Sequence, residues 1–389
     1  MNILYFCSPP LLDYSAEQIN DLKQHVNLHV MVCVSLQTPN HTIFKLKDGF
    51  ALDGIYTFDS IKDKIENIKL FEHYFAGCQS VHFVFFPPKI GMNIVRITRA
   101  LFKQLKHIKP QIIHFDDMFG RMLAFALLLK NRKIVLNVHD PVAHSGEQNW
   151  GYVIMRKFLF SKIAAFATFS EYSRLLFEKV FHPTVPVADL RLVPYYSYGA
   201  IGTKKIPELD KLPNEKLLLF FGRLSPYKGI DELLSAFSKV IQKYPDIKLV
   251  IAGNGNYSYQ LPDELVGSSS LITINRFIDD SEIKSLFEQA DVLICPYRDA
   301  TQSGVLMTAA AFKTPVIVSN VGALSEYIKD GGNGYVYDLK DETGLENCIL
   351  QILSDSKPID TLGLVPDNAA VSRNSKLLVD LYTQLLASN

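Results

Sequence analysis

Arg223 and Lys228 flank a Leu-Ser-Pro-Tyr step and are bracketed by Gly222 and Gly229, between an apolar strand signal and a helical one. A guanidinium forks onto two oxygens of one anion, and an ammonium adds a compact charge beside it. Glycine lets backbone come close to a ligand, and the helical pattern opening near Gly229 offers unpaired N–H groups and a positive dipole end. The chemistry implied is anion binding, most simply of a diphosphate. No Gly-Lys-Ser/Thr step follows, so the loop is not a P-loop. Taken alone, the two charges fit an ordinary solvated loop equally well. A second candidate, His139, follows the apolar run KIVLNV and opens a polar, glycine-containing loop. Imidazole there can orient a hydroxyl or carry a proton, although an isolated histidine is more often structural.

These loops need strands to position them. Strand signals fall at 2–7, 28–35, 81–86, 111–115, 133–138 and 165–170, then at 217–221, 247–252, 271–275, 291–295 and 315–318, with helical periods between most of them. Short Val/Leu/Ile-rich runs of this kind predict parallel sheets covered on both faces, whose ligands sit beyond the carboxyl ends of the strands. The stretch 194–216, rich in proline, glycine and charge, reads as a linker. The fold class predicted is α/β, with two doubly wound Rossmann-like domains facing a central cleft. The boundaries are 1–200, taken to bind acceptor, and 201–389, taken to bind donor. A final helix over 374–387, with leucines at 377, 378, 381, 385 and 386 on helical spacing, is counted within 201–389 and can pack on either domain, the first included.

At 389 residues, 48% of them hydrophobic, the chain is long enough for two cores. Forty basic residues balance forty acidic ones, so bulk charge gives no argument for nucleic acid. Cys7, Cys33, Cys78, Cys295 and Cys348 are scattered, without metal-type spacing, and read as reduced core thiols. The N-terminus reads as a first strand rather than a signal peptide, and no apolar run reaches the roughly 20 residues that span a bilayer. A cytoplasmic protein is expected.

The strings FGRLSPYKGIDELLSAF, LVIAGNGNY, DDSEIKSLFEQADVLICPY, SGVLMTAAAFKTPVIVSNVGALSEYI and GGNGYVY resemble family 4 glycosyltransferases, the retaining GT-B enzymes of the glycosyltransferase group 1 type. They cover nearly the whole C-terminal half, in order. The resemblance implies that Arg223 and Lys228 bind the donor's diphosphate and stabilise the charge of the leaving group. It implies no obligatory metal and no cofactor beyond the nucleoside diphosphate sugar. Asp116-Asp117 and Asp279-Asp280 then read as loop and helix-start carboxylates. The His139-Asp140-Pro141 step resembles a segment in which the histidine lies beside the transferred sugar and acceptor. Asp140 and His144 follow as acceptor contacts, Asp140 serving equally as a loop cap.

The chain departs from the family at one loop. The family's two glutamates, aligned through Gly304, are Thr301 and Ala309 here, where one carboxylate would touch the donor sugar and the other the ribose. Donor contacts then fall to Gly222, to Thr301 and Gln302, and to the N–H groups of Ser303, Gly304 and Val305 at a helix start. Ala309 to Ala311 read as a close-packed helix. No Gly-Gly step occurs in the N-terminal loop, and Arg276 stands where a glycine is common.

Arg96, Arg99, Lys103 and Lys106 recur at helical spacing, with Val95, Ile97, Leu101 and Leu105 available to face a core. A basic amphipathic helix can rest on an anionic membrane surface, and a solvated helix face is an equal reading. The function implied is a metal-independent, hexosyltransferase-type enzyme acting on a glycan or lipid-linked glycan in bacterial surface polysaccharide synthesis. Its place would be the cytoplasm, peripheral to the inner face of the membrane. A GT-B sugar-nucleotide epimerase and a non-catalytic sugar-nucleotide-binding subunit are the alternatives.

Overall fold

The computed structural model describes residues 1–36, 43–47, 53–87, 91–118, 122, 125–126, 128–129, 132–142, 159–209, 211–212, 214–354 and 368–388. The chain forms two compact units. The first takes in Met1–Val142, a stretch ending at Val193 and the C-terminal helix; the second takes in Pro194–Pro366.

Among the described residues, the first unit is built on β1 (Asn2–Cys7), β2 (Asn27–Ser35), β3 (Gly54–Thr57), β4 (Ser80–Phe86), β5 (Ile112–Phe115), β6 (Lys133–Asn137), β7 (Ala165–Thr168) and β8 (Val187–Asp189). They form one sheet in the order β3-β4-β2-β1-β5-β6-β7-β8, parallel except for β3, which runs antiparallel on β4. Strand order reverses at β1, so the loops after β1 and β5 meet at a topological switch point. Leu4, Phe6, Met31, Phe115 and Ile134 build the core on one side. Phe6 and Phe115 stack with ring centroids 4.7 Å apart. Each such phenylalanine stabilises the fold by roughly 1.5–3 kcal/mol through burial.

Helices of this unit are α1 (Leu12–Leu22), α2 (Phe58–Ile61), α3 (Ile68–Phe75), α4 (Met92–Ile108) and α5 (Glu171–Phe181). The basic stripe lies on α4, whose Ile97, Leu101, Leu105 and Ile108 are buried at spacings of three and four. Val95 is exposed rather than core-facing, one position off that stripe.

The second unit has β9 (Lys216–Phe221), β10 (Ile247–Gly253), β11 (Leu271–Asn275), β12 (Val292–Cys295), β13 (Val316–Ser319) and β14 (Gly334–Tyr337). They form a fully parallel sheet in the order β11-β10-β9-β12-β13-β14. Leu217 through Phe220 are all 0% exposed. Because successive side chains alternate faces, this means both faces of β9 are covered. Its helices are α6 (Ser197–Ala200), α7 (Ile230–Val240), α8 (Asp280–Gln289), α9 (Gly304–Phe312) and α10 (Gly344–Ser354). The last helix, α11 (Asn368–Ala387), belongs to the first unit.

The stretch 194–216 is not simply a linker. Tyr195, Tyr198, Ile201, Ile206 and Leu209 are buried. Tyr195 N–H donates to the Met307 carbonyl at 3.3 Å, and Lys204 N–H donates to the Ser281 carbonyl at 2.7 Å. The apolar anchors among its prolines and charges pack into the second unit, so the boundary falls after Val193 rather than after residue 200.

Candidate functional site

Strand order in the second unit also reverses at its first strand. The loops after β9 and β12 therefore meet at the carboxyl ends of adjacent strands, a switch point suited to ligand binding. Gly229 caps α7 at φ +68°, and a Cβ there would lie 1.8 Å from the Pro296 carbonyl oxygen. Only glycine permits this approach of the two loops. Arg298 locks them further: its N–H donates to the Tyr227 carbonyl at 2.7 Å, and its Nε donates to Glu232 Oε1 at 2.5 Å.

The two cations gather around Tyr227. Arg223 Cζ lies 5.8 Å from that ring centroid and its Nη2 donates to the phenol oxygen at 3.4 Å. Lys228 Nζ lies 5.0 Å from the same centroid and 3.6 Å from that of Tyr297, a buried residue of the β12 loop. Cations over aromatic faces are held electrostatically. The tyrosines were not picked out from sequence, although each stands within the quoted loops, in Pro-Tyr-Lys and Pro-Tyr-Arg.

Gly222 closes β9, donating its N–H to the Ala252 carbonyl at 3.0 Å. A Cβ on it would lie 3.7 Å from a Val305 methyl, which places the start of α9 against this loop. Thr301 and Ser303 are buried, Gln302 lies between them, and Ser303 is the N-cap of α9 without a capping side-chain bond. The first N–H groups of the helix, from Gly304 and Val305, open at this end. Ala309 packs within α9, fully buried. Arg276 is committed elsewhere: it forks onto Glu282 at 2.7 and 3.1 Å, beside the capping box in which Asp279 starts α8.

In the first unit, His139 lies just past β6 and its Nε2 is 3.2 Å from Asp116 Oδ1. Asp116, in the bend directly after β5, is a loop carboxylate with no exposure to solvent; it also accepts from Asn137 Nδ2 at 2.6 Å and from the Ser15 hydroxyl of α1. Burial pushes its pKa up, but the bonds from His139, Ser15 and Asn137 hold it below the usual carboxylate range. Burial lowers the pKa of His139, and the hydrogen bond and charge of Asp116, with Asp117 and Asp140 behind it, carry it above the ordinary imidazole value. His139 and Asp140 line a cavity of about 180 Å³ with Asp117 and Asn137. His144 lies outside the described residues.

The signal for Asp116 was present in the sequence. His114 and Asp116 stand two apart in IIHFD, and Asn137 and His139 two apart in VLNVH, so each polar pair shares one face of its strand. Among the described residues, no three His, Cys, Asp or Glu side chains converge as a metal site requires. No helix among them is long and apolar enough to cross a membrane.

Residues 203–363 match the family described as "Glycosyl transferases group 1". A putative glycosyltransferase of Bacillus subtilis is 26% identical over 64% of this chain and 66% of its own length. The phosphatidyl-myo-inositol mannosyltransferase of Mycolicibacterium smegmatis is 30% identical over 39% of this chain and 40% of its own. An uncharacterized glycosyltransferase of Methanocaldococcus jannaschii is 35% identical, over 36% of this chain and 37% of its own. The chain thus spans between about a third and two thirds of the curated relatives it matches. The sucrose-phosphate synthase of Thermosynechococcus elongatus shares its fold at TM-score 0.66 and 15% identity, covering 100% of this chain and 99% of that one. The Anabaena protein HepE, solved in complex with UDP and glucose, does so at TM-score 0.62 and 15% identity, over 98% and 97%.

Proposed function

We propose, from the premise that residues 203–363 form a group 1 glycosyltransferase domain within a GT-B fold, that this protein moves a sugar from a nucleoside diphosphate to a glycan or lipid-linked glycan acceptor with retention at the anomeric carbon. The observation that carries the reading is the gathering of Arg223 and Lys228 on Tyr227 at the switch point of the second sheet. Two cations there suit a diphosphate and the charge it gains as it leaves. The Anabaena neighbour solved with UDP and glucose supports a nucleotide-sugar donor.

In the mechanism proposed, the acceptor hydroxyl oxygen bonds to the anomeric carbon as the bond to the diphosphate oxygen breaks. The hydroxyl proton passes to that departing oxygen, on the same face. Gly222, Thr301, Gln302 and the N–H groups of Ser303, Gly304 and Val305 contact the donor; His139 and Asp140 serve the acceptor. The two cations do the work a divalent metal does elsewhere, so a chelator should leave transfer intact. A peripheral place on an anionic membrane, in surface polysaccharide synthesis, completes the proposal.

The test is a thermal-shift screen of nucleoside diphosphate sugars, followed by product stereochemistry with the sugar that binds. Arg223→Ala and Lys228→Ala should each lower turnover roughly 100- to 1,000-fold. Near-normal rates in both folded variants would refute the donor site. Thr301 and Ala309, standing where the family has carboxylates, favour a second reading as a non-catalytic sugar-nucleotide-binding subunit. That reading requires donor binding without turnover, even with membrane lipid present.

A further inference from the structure

We propose that Asp116 is a positioning residue that fixes which nitrogen of His139 carries its proton, and that a buried polar chain through Asn137, His114 and Tyr382 ties this state to the C-terminal helix. The proposal rests on the acceptor-side role given to His139 above, but its test does not depend on turnover.

The direction of every bond in the chain is set by chemistry. His114 is fully buried, and burial pulls its pKa down to about 4, so the ring is neutral near pH 7. Its Nε2 is 2.8 Å from Asn137 Oδ1, which can only accept, so Nε2 bears the ring proton. Its Nδ1 is then bare and accepts from the Tyr382 hydroxyl of α11 at 2.5 Å. Asn137 turns its amide nitrogen to Asp116 Oδ1, and the Ser15 hydroxyl donates to Oδ2. Asp116, ionised, has nothing to donate, so the 3.2 Å contact with His139 requires a proton on His139 Nε2. All donors therefore run toward one carboxylate, an arrangement in which each bond polarises the next.

The consequence falls on the other ring nitrogen. Nε2 keeps its proton whether His139 is neutral or charged, so Nδ1 is the atom that titrates: an acceptor above the pKa, a donor below it. The ring plane is fixed independently, stacked on Phe169 at 4.5 Å between centroids and met edge-on by Tyr14 at 5.8 Å. Among the described residues, the titratable groups facing it include Asp116 and Asp117 from the loop after β5, Asp140 from its own loop and the Tyr14 phenol from α1. The far end of the chain is also anchored. Gln18 Nε2 donates to Ser375 Oγ at 3.0 Å, and Asn374 Nδ2 donates to the Arg191 carbonyl at 2.6 Å, holding α11 in register with the sheet.

The experiment is a nitrogen-15 titration of the histidine rings in the full chain, with His139→Asn used to assign the signal. The parent should show the Nε2–H tautomer for neutral His139. Asp116→Asn should lower the His139 midpoint by roughly one unit, a tenfold change in its protonated fraction, and should mix the tautomers. Tyr382→Phe weakens each donor in turn, leaves Asp116 more basic, and should raise the midpoint by a few tenths of a unit at most. The limb of the kcat profile that His139 sets should move with its midpoint while the donor KM stays put. A parent ring in the Nδ1–H form overturns the proposal without any variant, so an Asp116→Asn protein that fails to fold does not shield it. An unmoved midpoint in folded Asp116→Asn overturns it too, and an unmoved midpoint in Tyr382→Phe overturns the link to the helix. Loss of transfer with these ring states intact would count against the enzymatic reading instead.

Discussion

The Lys228 ammonium sits 3.6 Å from the centroid of the Tyr297 ring, a lysine from the loop after β9 held by an aromatic face from the loop after β12. The pair spans the switch point of the sheet, so the ring presets the cation where the diphosphate is proposed to sit. Such contacts contribute about 0.5–2 kcal/mol.

The ring, not the hydroxyl, should matter. Tyr297→Phe is expected to keep transfer close to the parent rate, because the face over which Lys228 lies is retained. Tyr297→Leu should weaken donor binding and lower kcat together, by up to roughly 30-fold if 2 kcal/mol is lost. Steady-state kinetics on variants with matched melting curves decide it; equal losses in both variants would move the role to the hydroxyl.

Two glycines with similar backbone separate strain from crowding. Gly229 at φ +68° would place a Cβ 1.8 Å from the Pro296 carbonyl oxygen, whereas Gly267 at φ +72° meets nothing within 4 Å. Gly267→Ala should cost only the left-handed penalty of about 1–2 kcal/mol. Gly229→Ala adds a backbone clash and should cost about 2–6 kcal/mol. Urea denaturation compares them directly.

Stability should depend on pH through His139 with a definite sign. Its folded pKa is raised, so its contribution is fully present below the unfolded value of about 6.5 and is lost as pH rises through the folded pKa. His114, His29 and His82 are lowered, chiefly by burial, and act in the opposite sense. The difference between parent and His139→Asn isolates the effect. That difference should be larger at pH 5.5 than at pH 8.5, measured by denaturant midpoints, and a difference that grows with pH would contradict the assignment.

The α4 stripe yields a test of place. Arg96 pairs with Asp53 at 2.5 Å, while Arg99, Lys103 and Lys106 are exposed, with Met92 and Val95 exposed at the same helix's start. Each basic residue near an anionic bilayer contributes about 1 kcal/mol, screened steeply by salt. Arg99→Glu with Lys103→Glu should reduce co-sedimentation with anionic vesicles at low salt and leave transfer to a short soluble acceptor unchanged. A parent protein that does not bind at low salt makes the stripe a solvated helix face.

What the sequence by itself determined was local. The Val/Leu/Ile runs and the helical periods between them specified two parallel α/β sheets, because strand and helix periodicities are properties of contiguous residues. Arg223, Lys228 and His139 were legible for the same reason: each lies in a loop that follows such a run. Short edge strands were not. β3, β8 and β14 have three or four residues each and gain their identity from the strand beside them. Only the tertiary structure decided that Tyr297 lies under Lys228, that Asp116 is a buried acceptor for His139, and that Tyr382, far along the chain, donates into the same network. Those contacts depend on strand order and register, which bring residues from distant loops to one face. The same holds for 194–216, where composition spoke for a linker and the second unit's core claimed its aromatic and aliphatic anchors.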